Sequence, residues 1–153
     1  MDKVKRFLAM LLVALSLIVL TVPAFASTND TEHTIPVAST FNQRGNARPK
    51  DSATACYLLI KRSPSTHVYV MAQGCSNTGA ARANKTSYLA ADGTYTNAPY
   101  VICRVNVKYS VHNQIYESGY RYAAYDFKTL NSTSGTLNYI WSPDSNGTYT
   151  SAT

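Results

Sequence analysis

Acid–base chemistry in this chain would have to come from three histidines, His33, His67 and His112. A two-histidine site for cutting a phosphodiester needs groups in opposed protonation states beside a cation. His67 and His112 with Lys61 or Arg104 would make such a site only if folding gathered them, because nothing in their spacing does. Other catalytic signatures are missing: there is no G-x-S-x-G, no P-loop and no G-x-G-x-x-G, and the acids are scattered. No two histidines stand at metal-ligand spacing and H-E-x-x-H is absent, so neither a metal nor a cofactor is expected. No residue is nominated as catalytic, and a small basic, nuclease-like hydrolase is the weakest functional reading.

Tyrosine is the compositional outlier. Twelve tyrosines, all between Tyr57 and Tyr149, stand against one tryptophan and, beyond residue 26, two phenylalanines (Phe41 and Phe127). Tyr116, Tyr120, Tyr122 and Tyr125 crowd one stretch, with Arg121 among them. On a strand, Tyr120 and Tyr122 share one face, while Arg121 and Tyr125 share the other. An exposed row of tyrosines offers rigid amphipathic area at low entropic cost, suited to sugars or protein partners. The same residues would also serve as ordinary cross-strand packing. The candidate binding residues are Tyr116, Tyr120, Arg121, Tyr122 and Tyr125.

Three cysteines, Cys56, Cys75 and Cys103, give an odd count. In an exported protein that means one disulfide and a spare thiol, or a disulfide-linked dimer. Cys56–Arg62 and His67–Gln73 both read as strands, and a hairpin turning at Ser65-Thr66 would set Cys56 opposite Cys75. The expected bridge is therefore Cys56–Cys75, with Cys103 the free, buried thiol; Cys75–Cys103 is the competing pairing. Without C-x-x-C spacing, neither a redox centre nor a zinc knuckle is supported.

These pieces sit behind a leader. Lys3, Lys5 and Arg6 precede an apolar run from Phe7 to Val22, then Pro23 and the Ala24-Phe25-Ala26 site. That pattern is a signal peptide, residues 1–26, cleaved after Ala26. It predicts a secreted, extracellular protein by a bacterial export route. An uncleaved anchor is the competing reading, since the run approaches the length of a short bilayer span. Downstream, no segment is apolar enough to span a membrane. Without the three basic residues and one acid of the leader, 11 Lys+Arg stand against 7 Asp+Glu, a net charge of +4. That favours anionic partners. The charges form no polybasic tract, so specific nucleic-acid binding is not indicated.

The elements that would position these residues read in two parts. Residues 27–52 are polar and tyrosine-free and read as a flexible N-terminal arm. Residues 53–153 show period-two alternation, best in Tyr100–Tyr109, where Val101, Cys103, Val105, Val107 and Tyr109 share a face. Turn signals recur at Asp92-Gly93, Ser118-Gly119, Ser134-Gly135 and Asn146-Gly147. The pattern predicts an all-β fold, a small antiparallel β-sandwich or barrel of seven or eight short strands. The function that fits is a secreted, non-catalytic module binding a cell-surface glycan, wall polymer or protein through tyrosines and basic residues. A secreted inhibitor or antimicrobial factor is the alternative.

Overall fold

The computed structural model describes residues 29–41, 45–130 and 133–153. The expected signal peptide, residues 1–26, lies outside the described residues. Within them the chain forms strands and turns, with no α-helix, and no helix is long and apolar enough to cross a membrane. Strands follow in the order β1 (Thr31–Val37), β2 (Arg48–Pro49), β3 (Cys56–Arg62), β4 (His67–Cys75), β5 (Ala83–Asn84) and β6 (Ser87–Leu89). Then come β7 (Tyr95–Asn97), β8 (Val101–Arg104), β9 (Lys108–Val111), β10 (Tyr122–Thr129), β11 (Gly135–Ser142) and β12 (Thr150–Ser151).

Two five-stranded sheets carry the fold, and neither closes into a barrel. Sheet A runs β1-β11-β3-β9-β12; sheet B runs β2-β10-β4-β5, with β8 also paired to β4. All pairings are antiparallel except β9 with β12. The strands β6 and β7 form a separate hairpin, its turn eased by Gly93 at φ 83°. Period two explains which residues meet. Leu58 and Ile60 of β3, with Leu137, Tyr139 and Trp141 of β11, face Val68, Val70 and Ala72 of β4, and Tyr125 and Phe127 of β10. The central contacts are aromatic: Trp141 meets Tyr125 at 5.0 Å and Phe127 meets Tyr139 at 4.6 Å, ring centre to ring centre. Tilted pairs of this kind add about 0.5–1.5 kcal/mol each beyond their buried area.

Several expectations are corrected. The segment 27–52 is not a free arm in its described part. Thr31–Val37 pairs residue for residue with β11, Arg48–Pro49 pairs with β10, and Lys50 is fully buried. Polar composition misled because β1 is an edge strand whose outward side chains are meant to be wet. The Tyr100–Tyr109 run is not one strand. It breaks at Asn106, which adopts φ 63° and donates its N–H to the Ile60 carbonyl at 2.7 Å. There the chain passes from sheet B to sheet A. Val101 and Cys103 face the core from one side and Tyr109 and Val111 from the other, so alternation stays in phase through the crossing. The turn at Ser118-Gly119 is present, over residues 115–119, but it joins no hairpin, since β10 pairs with β4 and β2 and not with β9; Asn146-Gly147 leads into β12, which runs parallel to β9.

The Cys56–Cys75 bridge is overturned for the same reason. Ser63–Thr66 carries the chain across from sheet A to sheet B, so β3 and β4 never pair. All three cysteines are buried free thiols. Cys56 is in the core; Cys75 shares the opposite face of β4 with Met71 and Gln73, its Sγ 3.8 Å from the Tyr122 carbonyl. Cys103 is buried in the core, and burial pushes its thiol far up.

Candidate functional site

The five candidate binding residues do not form one row. Tyr125 is 1% exposed and lies in the core, its ring against Trp141 and Phe127. Burial pushes its phenol well above the ordinary value, and no ligand reaches it. Tyr122 opens β10 on the solvent face of sheet B, opposite Cys75. Tyr116, Tyr120 and Arg121 sit at the end of the sheets. Arg121 stacks over the Tyr116 ring at 4.2 Å and donates to the carbonyls of Tyr116 and Tyr120 at 3.2 and 2.9 Å. Tyr120 rests on Gly74, where an added Cβ would come within 2.8 Å of the ring, and Lys85 approaches its ring at 5.5 Å. These two tyrosines are engaged by the protein's own groups.

A denser aromatic cluster stands on the solvent face of sheet B. The parity that sends Val68, Val70 and Ala72 inward sends His67, Tyr69 and Met71 outward. The same rule on β10 turns Lys128 out beside Tyr69, its register partner. Tyr100, just before β8, meets Tyr69 edge-on at 4.7 Å, and Phe41, from the β1–β2 connection, lies 6.2 Å from Tyr100. The Lys128 Nζ is 4.8 Å from the Tyr69 ring centre, 5.3 Å from Phe41 and 5.7 Å from Tyr100. No carboxylate among the described residues pairs with it. Each such contact is worth about 0.5–1 kcal/mol on an exposed surface. The acid β10 places on this face, Asp126, is committed elsewhere: Arg82 Nη1 lies 3.1 Å and Gln73 Nε2 3.0 Å from its carboxylate. Burial outweighs these partners and raises the Asp126 carboxyl above its ordinary range.

Sheet register extends the face sideways. Tyr69 pairs with Ile102 of β8, which is 41% exposed, and His67 pairs with Arg104. Beyond them opens a groove of about 530 Å³, lined by His67, Ile102, Arg104, Tyr109, Thr150 and Ser151 among others. The C-terminal segment walls it, joining the sheets: the Ala152 N–H donates to Ser110 and the Ile102 N–H to Thr153. The Tyr109 hydroxyl accepts from the Arg104 N–H at 3.2 Å and so keeps its own proton to donate. The His67 Nδ1 lies 3.1 Å from the Thr66 hydroxyl, which orients the ring. No Asp or Glu side chain lines this groove.

His67 and Arg104 are neighbours in register, while His112 lines a second concavity, its ring 5.4 Å from Tyr95 and its Nε2 3.3 Å from the hydroxyl of Ser151, which lines both concavities. Lys61 is occupied by Glu32 at 3.0 Å on sheet A. No group of three or more His, Cys, Asp or Glu among the described residues could hold a metal ion. The cluster of Phe41, Tyr69, Tyr100 and Lys128 went unnominated in the sequence. Its one visible signal was the outward parity of Tyr69 within an otherwise apolar strand. Residues 20–145 match the family model described as "Protein of unknown function (DUF2712)". No curated protein and no solved structure matches the chain.

Proposed function

The chain belongs to the DUF2712 family, and for this member we propose a secreted, non-catalytic β-sandwich module that binds a cell-surface glycan or wall polymer. The site is the solvent face of sheet B, centred on Phe41, Tyr69, Tyr100 and Lys128. The observation that carries the reading is an ammonium group held among three half-buried rings, with no carboxylate among the described residues to neutralise it. Such a surface stacks the flat, weakly polar face of a sugar or polyol chain on the rings and offers one strong donor to an anion. The net charge of +4 behind the leader draws the same ligands to it.

The test is retention of purified protein on isolated wall material at low and high salt. Tyr69→Ala should weaken retention several-fold at both salt concentrations, because it removes a ring contact that salt screens little. Lys128→Gln should weaken it chiefly at low salt. Retention that vanishes at high salt and ignores Tyr69→Ala would reduce the binding to unspecific charge attraction and end the reading.

A further inference from the structure

We infer that the ligand of this face is a linear polyanion, one negative charge per repeating unit, that lies across β10, β4 and β8 and engages Lys128 and Arg104 together. This rests on the binding reading above and specifies its ligand class. Lys128 and Arg104 point from the same side of sheet B: Lys128 pairs with Tyr69, and Arg104 with His67, two residues along β4. Two strand spacings across and one two-residue step along put their Cα atoms about 12 Å apart. Charges spaced along a chain can therefore meet both cations at once. Between them lie Tyr69 and Ile102, an aromatic and an aliphatic side chain paired across the strands. That strip suits the uncharged backbone between two anionic groups.

Charge complementarity selects the class. Lys128 and Arg104 have no carboxylate partner among the described residues, while the nearby acid, Asp126, is held by Arg82 and Gln73. At the Arg104 end the groove offers donors: the guanidinium, the Tyr109 hydroxyl proton and the Thr150 hydroxyl. A neutral glycan would leave both cations unanswered. A polymer of uronic acid or of glycerol phosphate answers them with the same chemistry, a regularly repeated anion on a flexible polyol backbone. Two linked contacts act at high effective concentration, so affinity should climb steeply once the chain spans both cations.

The experiment measures affinities of the full chain for oligogalacturonates and glycerol-phosphate oligomers of increasing length, from the single unit upward. The parent protein should gain at least tenfold when the oligomer becomes long enough to span the two cations. Arg104→Gln and Lys128→Gln should each abolish that gain. Each should also lower the dependence of log affinity on log salt by about one unit for the long oligomer. Near-ultraviolet circular dichroism on both variants confirms that they are folded. The two oligomer series distinguish carboxylate from phosphate polymers, and a spanning gain in either supports the inference. A length gain that survives Arg104→Gln overturns the two-cation inference but leaves the aromatic site, provided that binding still falls in Tyr69→Ala. Binding to neither series, with retention on wall material intact, overturns the polyanion class alone. Loss of both ends the binding reading itself. Single-stranded DNA of equal charge bound more tightly than either series would also overturn the assignment.

Discussion

Asp144→Asn is the substitution that should cost this fold most per atom changed. Lys50 and Asp144 are both fully buried, Nζ to Oδ1 3.1 Å. The carboxylate also accepts from the Asp51 N–H at 2.9 Å, the Ser52 N–H at 3.2 Å, the Ser52 hydroxyl at 2.6 Å and the Thr54 hydroxyl at 3.1 Å. The ammonium spends its other protons on the carbonyls of Thr54 and Pro143, each at 2.7 Å. This network ties the segment after β2 to the segment after β11. An asparagine keeps the shape but removes the charge and points an NH2 at a shell of donors. An uncompensated ammonium is left in the interior, and breaking a buried pair this way costs about 3–5 kcal/mol. Against a typical total of about 5–15 kcal/mol, that is a large share. For a domain of this size it corresponds to a fall in Tm of roughly 10–25 °C. Urea titration should show the midpoint falling with the slope unchanged. The pH dependence has a definite sign. Burial pushes the Asp144 carboxyl up, but hydrogen bonds from Ser52 and the Asp51 N–H, with Lys50, outweigh it and hold the group below its ordinary value. A depressed folded-state value means the stabilisation is fully present above the unfolded carboxylate value, about 3.9, and is lost as pH falls through the lower folded one. Asp144→Asn should flatten that acid limb. A cost below 1 kcal/mol with an unchanged acid limb would refute the network as a keystone.

Three further outcomes follow from the same geometry. None of the three thiols should react with a bulky aqueous disulfide reagent in the native state, and all three should react in guanidinium; an intact mass short by two hydrogens would instead reveal a bridge. Asn106→Gly should change stability by less than about 0.5 kcal/mol, while Asn106→Val should lose about 1–2 kcal/mol, because a β-branched residue resists the left-handed φ of 63°; urea midpoints decide it. Tyr125→Phe should leave both stability and retention on wall material unchanged or slightly improved, since its hydroxyl finds no partner beyond the neighbouring Cys56 thiol; lost retention would return Tyr125 to the site.

What could be read in the sequence was local, and what could not was set by partners far along the chain. The strands read at Cys56–Arg62 and His67–Gln73 are β3 and most of β4, because short apolar runs bounded by turn residues have a buried-strand solution. Alternation hid the crossing at Asn106, since Cys103 and Tyr109 face one core from opposite sheets in unbroken phase. Lys50 sits in a polar, turn-rich stretch, and only Asp144, 94 residues on, explains its burial. The tyrosines near Arg121 stood out by crowding, yet β10 splits them: Tyr122 faces solvent and Tyr125 the core. Lys128 meets Tyr69 only through the β4–β10 register, which no local pattern encodes. The bridge expected from Cys56 and Cys75 failed similarly, on a short connection that changes sheets instead of turning back.

The most direct test of the account is an amide chemical-shift map of isotope-labelled protein titrated with soluble wall polymer. The account predicts shifts clustered on Tyr69, Tyr100, Ile102, Arg104 and Lys128, saturating together, with the β1 and β11 amides of sheet A silent. Shifts confined to Tyr116–Arg121, or spread evenly over lysines and arginines without saturation, would contradict it.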